Sequence, residues 1–296
     1  MSFRAGRVAI VGWTNVGKST LLNRLVGEKL AAVAQVAQTT RHRIVGVLPV
    51  PSRGQIVFVD TPGFHHPRER MNRSMVQAAK DALTEVDAVL LVIDAEAGAG
   101  RGDREVAEAV ARSGVPSIGV LNKIDRVTPK SKLLPLMKTV VDDWKLGEVV
   151  PVSAATGEGS ELLIERLLAC LPEGEPIFGD DVLTDQTERT LAAEWVREKL
   201  LHHTREEIPH ALAVLVRRWL ERADGLVEIE AVIFVERDSQ KGIVIGKGGE
   251  LLKRVGTEAR ADIETTLGRK VFLALNVEVR PDWRNDPRAL GELGIV

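Results

Sequence analysis

The octapeptide Gly12-Trp13-Thr14-Asn15-Val16-Gly17-Lys18-Ser19 constrains this chain more than any other stretch. It fits the pattern G-x-x-x-x-G-K-[ST]. The apolar run Val8-Ala9-Ile10-Val11 before it reads as a buried strand, and Thr20-Leu21-Leu22-Asn23-Arg24-Leu25 after it has helical spacing. Strand, glycine loop and helix in that order is the context in which the pattern makes a phosphate-binding loop. Glycines let the backbone wrap a phosphate with successive N–H groups pointing inward, and the helix N-terminus adds partial positive charge. Gly12, Asn15, Val16, Gly17, Lys18, Ser19 and Thr20 are therefore candidate phosphate-binding residues. Lys18 can reach the β- and γ-phosphates, and the Ser19 hydroxyl can ligate Mg²⁺.

The rest of the N-terminal half alternates strands and helices. Ile44 to Leu48 and Gln55 to Val59 read as strands joined by a tight turn, and Ala88 to Ile93, Ser117 to Leu121 and Val149 to Val152 as further strands. Helical spacing separates them from about Glu69 to Leu83, Asp103 to Arg112, around Leu133 to Val140, and Glu158 to Leu171. The pattern predicts an α/β domain with a mostly parallel six-stranded sheet covered on both faces, its ligands at the carboxyl ends of the strands.

Each remaining motif follows a strand. Asp60-Thr61-Pro62-Gly63 fits D-x-x-G, in which the carboxylate holds Mg²⁺ through a water and the Gly63 N–H senses a γ-phosphate. Asn122-Lys123-Ile124-Asp125 is more telling. The Asp125 carboxylate can accept from the ring N–H and the exocyclic amine of guanine, which adenine lacks, and a site built on such bonds rejects the wrong base by roughly four orders of magnitude. Ser153-Ala154 can offer a backbone N–H to the guanine oxygen.

These motifs resemble the GTPase domain of the translation-factor-like GTPases, and Gln38-Thr39-Thr40-Arg41-His42-Arg43 is similar to the Era family. The resemblance implies GTP and GDP as ligands, slow Mg²⁺-dependent hydrolysis, and Thr40 as second hydroxyl ligand of Mg²⁺ on a mobile loop, with Thr39 as fallback. It gives Lys18, Thr40 and Gly63 as the catalytic set. Trp13-Thr14 stands where the family often has Arg-Pro, and these side chains are expected to point outward. Phe64 stands where many GTPases carry a glutamine that orients the attacking water. Asn15 matches the position that helps hold K⁺ in related GTPases; an asparagine that only stabilises the loop is the open alternative.

Leu171-Pro172-Glu173-Gly174-Glu175-Pro176 has the composition of a boundary. The expected division is a GTPase domain over 1–173, a linker over 174–185 and a second domain with tail over 186–296. That second part reads as a helix (Thr187 to His203), two strands (Ala211 to Leu220, Leu226 to Val235), the loop Gly246-Lys247-Gly248-Gly249, a helix (Glu250 to Leu267) and a strand (Lys270 to Val279). Propensity makes Ile243-Val244-Ile245 a strand. The order resembles an α+β type II KH domain, which implies a short helix there instead. A GXXG loop clamps about four nucleotides of a single strand, so Ile245, Gly246, Lys247, Gly248, Gly249, Lys253 and Arg254 are candidate RNA-binding residues. From Arg237 to Arg254 five basic residues face two acidic ones, a local excess suited to phosphates. Few aromatics are available for stacking.

The whole chain of 296 residues carries a formal net charge of −2, so any basic surface is local. The one cysteine, Cys170, excludes an intramolecular disulfide, points to a reducing compartment and is expected to be core filler. The first strand starts too early to leave room for a signal peptide, and no apolar run approaches the roughly 18 residues of a membrane span. A soluble intracellular protein is expected. The pairs His65-His66 and His202-His203 lack partner ligands at metal-binding spacing and read as solvated surface. The Era resemblance implies the 3′ end of small-subunit ribosomal RNA and the small ribosomal subunit as partners, some peripheral membrane association, and a monomer. Its rivals are a constitutive RNA-binding protein with a vestigial nucleotide site, and a membrane-associated signalling GTPase whose C-terminal domain docks protein.

Overall fold

The computed structural model describes residues 2–34, 36, 39–64 and 69–295. The chain divides into two units: Met1–Ala31 with Thr40–Pro67 and Asn72–Asp185, and Ala32–Thr39 with Arg68–Met71 and Gln186–Val296.

Among the described residues the first unit is built on one sheet. Its strands β1 (Arg4–Val11), β2 (Ile44–Val50), β3 (Gly54–Asp60), β4 (Ala88–Asp94), β5 (Ser117–Asn122) and β6 (Glu148–Pro151) take the order β2-β3-β1-β4-β5-β6. Neighbours run parallel except β2, which is antiparallel to β3. The connections carry α1 (Lys18–Val26), α2 (Arg70–Asp81), α3 (Arg101–Ser113) and α4 (Leu133–Lys138), and α5 (Ser160–Cys170) follows the last strand. Successive residues of a strand point to opposite faces, and β1 feeds two cores accordingly. Val8 and Ile10 join Leu21, Leu22 and Leu25 of α1 and Leu163 and Leu167 of α5. Ala9 and Val11 join Val106 and Val110 of α3. Burial on both faces is why the strands read as continuous apolar runs.

Register sets the site. Ile10 pairs with Asp60, Asp94 with Asn122, and Leu121 with Pro151, so the carboxyl ends of β1, β3, β5 and β6 reach one rim of the sheet. Beyond α5 the chain turns back over the sheet's other end. Gln55, 1% exposed, accepts from the Ile177 and Phe178 N–H groups at 2.8 and 2.9 Å and donates to the Phe178 carbonyl at 2.8 Å. The Val47 N–H then donates to the Leu183 carbonyl at 2.8 Å, and the Thr184 hydroxyl to the Val45 carbonyl at 2.6 Å. Residues 177–184 are thus a strap along β2 and β3. Cys170 is exposed at the end of α5, not core filler, because the buried stripe of that helix is Leu163, Leu167 and Leu168.

The second unit holds α6 (Glu188–His203), α7 (Ile208–Ala211), β7 (Ala213–Glu221), β8 (Val227–Val235), α8 (Asp238–Ile245), α9 (Glu250–Leu267), β9 (Val271–Val279) and α10 (Pro287–Glu292). Its sheet has the order β7-β8-β9, with β8 antiparallel to β7 and parallel to β9. Trp195, Val196 and Leu200 of α6 and Val255, Ala259 and Ile263 of α9 pack on Ile229, Ala231 and Ile233 of β8. Asp238–Ile245 is helical, as the KH resemblance implies and against local propensity; buried Val244 in the shared core decides it. The stretch 32–39 belongs to this unit: Glu198 accepts the Val33 N–H at 2.9 Å, and Arg197, ion-paired to Glu194, donates to the Thr39 carbonyl. No helix among the described residues is long and apolar enough to cross a membrane.

Candidate functional site

The loop between β1 and α1 has the form a phosphate needs. Gly17 sits at φ 95°, and a Cβ there would collide with the Asn122 amide, so only glycine fits. That amide donates to the Val16 carbonyl at 2.9 Å, which fixes the loop against the end of β5. Lys18 is 7% exposed, its ammonium donating to the Trp13 and Gly12 carbonyls at 2.8 and 3.2 Å. Burial pulls it down to about 8, against the opposing charge of Asp60. Burial likewise pushes Asp60 up to about 6, against Lys18 and hydrogen bonds from Ser19 and Thr40. Gly63 approaches so closely that an added Cβ would stand 3.0 Å from the Lys18 ammonium.

Three oxygens gather beside Lys18. Ser19 Oγ lies 2.6 Å from Thr40 Oγ1 and 2.9 Å from Asp60 Oδ2, and Thr40 Oγ1 lies 3.3 Å from the same carboxylate oxygen. The other oxygen, Asp60 Oδ1, is buried with no hydrogen-bond partner among the described residues. Two hydroxyls and a buried carboxylate form a hard oxygen set that fits Mg²⁺. Of the two threonines, Thr40 is the one beside Ser19 and Asp60; the Thr39 hydroxyl bonds the Val36 carbonyl at 2.7 Å. The Thr61 hydroxyl holds the Ile10 carbonyl at 3.1 Å, and its backbone N–H donates to the Asp60 carboxylate. Thr20 is half-buried in the first turn of α1.

The base-reading end is assembled from β5 and β6. Ser153 Oγ donates to Asp125 Oδ1 at 2.6 Å, aiming the carboxylate, and the Ala154 N–H donates to Asn122 Oδ1 at 2.9 Å. Lys123, at φ 64°, reaches back to the Asn15 carbonyl at 2.7 Å and pairs with Asp94 at 2.5 Å. Asn15 also has positive φ, 62°. Sequence reading missed Asp94 and Arg24. Asp94 ends β4 on the same rim, and that position was its signal. Arg24, which donates to the Ala154 and Ala155 carbonyls, gave none.

Two expectations change here. Trp13 does not point outward: it packs against both cores and fills the space over Gly102, where any Cβ would strike the indole ring. Phe64 is 7% exposed, its N–H donating to the Gly12 carbonyl at 3.1 Å. A buried phenyl ring orients no water.

In the second unit α8 stops at Gly246, φ 75°, and exposed Lys247 and Gly248 form the tip of the GXXG turn. A groove of about 410 Å³ opens beside it, lined by Gly249, Lys253, Gly256, Thr257 and Arg260 together with Phe272 and neighbouring leucines. Of the expected residues, Lys253 and Gly249 line it. Arg254 is exposed but does not, being one residue further round the helix. Ile245 is half-buried against the hydrophobic core. Phe272, 57% exposed, is one of the few aromatics of this unit and borders the groove. His202 and His203 are not simply solvated: they reach the Val33 carbonyl and Glu258, each at 2.8 Å. His65 and His66 lie outside the described residues. Among the described residues no cluster could hold a metal through histidine, cysteine and carboxylates.

A glycine loop with a hard-oxygen set at one end and a carboxylate aimed by Ser153 at the other is the arrangement of a P-loop guanine-nucleotide-binding protein. A family model described as a 50S ribosome-binding GTPase matches residues 7–123, and a KH domain model matches 207–284. GTPase Era of Geobacter metallireducens is 49% identical over 293 residues, covering 99% of this chain and 98% of the relative. GTPase Era of Trichlorobacter lovleyi is 47% identical over the same shares. A crystal structure of Era with MgGDPNP and nucleotides 1506–1542 of 16S ribosomal RNA superposes with a TM-score of 0.97 at 42% identity, over 99% of both chains. An Aquifex aeolicus Era variant bound to GDP and AlF4⁻ gives the same score and identity over 99% of this chain and 100% of its own. The chain belongs to the Era family of GTPases.

Proposed function

We propose that this GTPase couples its nucleotide state to binding of single-stranded RNA, the 3′ end of small-subunit ribosomal RNA, in assembly of the small ribosomal subunit. The observation that carries the reading is one of coverage. From end to end the chain matches a protein solved with a GTP analogue and 16S ribosomal RNA, and its own C-terminal unit presents a cationic groove beside a GXXG loop. The reading places it in the cytoplasm as a monomer, with a peripheral fraction at the membrane.

Lys18 and the loop N–H groups bind the phosphates; Asp125, aimed by Ser153, and the Ala154 N–H read the base. Ser19 and Thr40, with Asp60 through a water, would hold Mg²⁺, which supplies neutralisation of charge as it spreads over the transferring phosphoryl group. With Phe64 buried, the rate rests on positioning and electrostatics, so intrinsic turnover is slow. Coupling follows the chain. Residues 32–39 belong to the RNA-binding unit, and the next residue, Thr40, sits at the metal set. Ordering Thr40 is therefore transmitted through one peptide bond.

The test is the affinity of a labelled 3′-end oligonucleotide with a non-hydrolysable GTP analogue and with GDP. A difference of roughly fivefold or more is expected; equal affinity removes the coupling. The double variant Lys247→Asp, Gly248→Asp should lose RNA and keep GTP. Undiminished RNA binding by that variant would make the C-terminal unit a protein-docking module instead.

A further inference from the structure

Resting on the RNA reading above, we infer that Phe272 is a stacking platform for one unstacked base of the single strand whose phosphates the GXXG loop holds. β9 is an edge strand, paired on one side only, and Phe272 projects from it with 57% of its surface exposed. Val271 before it is buried in the core, whereas nothing in the core requires a phenyl ring at 272. A large aromatic left in water beside a groove is a candidate contact surface.

The opposite wall identifies the ligand. Lys253, Gly256, Thr257 and Arg260 form one stripe of α9, at the spacing of a single helix face. Among the described residues, two cations and no carboxylate line the groove. Its charge suits a polyanion, and its aromatic wall suits a ring with a π-face. Single-stranded nucleic acid combines the two. Gly256 supports this independently. Glycine inside a helix costs stability relative to alanine, and here a Cβ would meet only Leu275 at 3.4 Å, an ordinary contact. Packing therefore does not demand glycine at 256. An open groove does, since any side chain there would narrow the slot in which a base lies on Phe272.

Stacking is tolerant of base identity, and loss of one platform weakens binding by about five- to a hundredfold. The experiment titrates the full chain against a fluorescent single-stranded 3′-end oligonucleotide of small-subunit ribosomal RNA, using Phe272→Ala, Phe272→Leu and Phe272→Trp. The alanine and leucine variants should lose affinity by that factor with the slope of log K against log salt unchanged, and tryptophan should retain it. Lys253→Ala should instead flatten the slope by about 0.7, as for one lost phosphate contact on a single strand. Replacing the nucleotides one at a time by abasic sites should weaken wild type at one position more than it weakens Phe272→Ala there. Wild-type affinity in Phe272→Ala or Phe272→Leu overturns the platform. If the Lys247→Asp, Gly248→Asp protein then still loses RNA, the RNA reading stands without it; if that protein also binds like wild type, the RNA reading itself fails. Phe272 is exposed, so its variants should fold, which a thermal melt verifies.

Discussion

Arg24 and Ala154 join the two ends of the nucleotide site. The guanidinium donates to the Ala154 carbonyl at 3.0 Å and to the Ala155 carbonyl at 2.6 Å. The helix that carries Arg24 begins at Lys18, so one rigid element sets both the phosphate loop and the base-reading loop. Arg24→Ala should weaken GDP binding about ten- to a hundredfold, the scale of one net hydrogen bond to a charged group. The loss should be smaller for a 2,6-diaminopurine nucleotide, which lacks the oxygen that Ala154 reads. Calorimetric titration showing equal losses for both bases would reduce Arg24 to a general support.

Asp125→Asn exchanges an acceptor for a donor. Guanine should lose by a hundredfold or more, and xanthine, whose C2 carries a carbonyl, should gain. Competition among GTP, XTP and ATP measures this. If wild type bound ATP as tightly as GTP, the assignment of Asp125 would be lost.

Hydrolysis should depend on K⁺ through Asn15, because Phe64 leaves charge neutralisation to cations. Turnover should fall when Na⁺ replaces K⁺ at equal ionic strength. Asn15 holds a left-handed backbone at φ 62°, which glycine also tolerates. Asn15→Gly therefore keeps the loop and removes the amide. Retained K⁺ stimulation in that variant would leave Asn15 a conformational role only.

Asp60 and Lys18 give the apo protein a defined pH response. Asp60, at about 6 rather than 3.8, holds its proton longer in the folded chain, so its contribution to stability falls as pH rises from about 4 to about 6. Lys18, at about 8 rather than 10.5, loses its proton earlier, so its contribution rises between those values. From about 6 to 8 both are charged and buried, and both penalties apply. Nucleotide and Mg²⁺ favour the charged forms, so their thermal stabilisation should be largest in that window. Apparent Mg²⁺ affinity should weaken below about pH 6 as protons compete; a flat Mg²⁺ affinity from pH 5 to 7 would contradict the shift at Asp60.

The nucleotide site was legible because each motif is local and follows a strand whose apolar run marks it. Asp60, Asn122 and Ser153 were found that way, and register then aligned them. What stayed hidden depends on distant partners. Trp13 turns inward because Gly102, on another helix, has no side chain. Phe272 borders a groove only because α9 packs alongside β9, and alternation, which turns 272 to the face away from Val271, does not show that. Local propensity misread Ile243-Val244-Ile245, since the packing of Val244 outweighs β-branched preference.

The strap held by Gln55 has a consequence for keeping the protein dispersed. β2 is the outermost strand of its sheet, and an open edge is a template on which other chains pair and aggregate. The Leu183 carbonyl and the Thr184 hydroxyl occupy the Val47 N–H and the Val45 carbonyl on that edge. A nucleotide-binding half cut at residue 173 would expose these groups and self-associate, whereas one ending after Asp185 would carry its own cover.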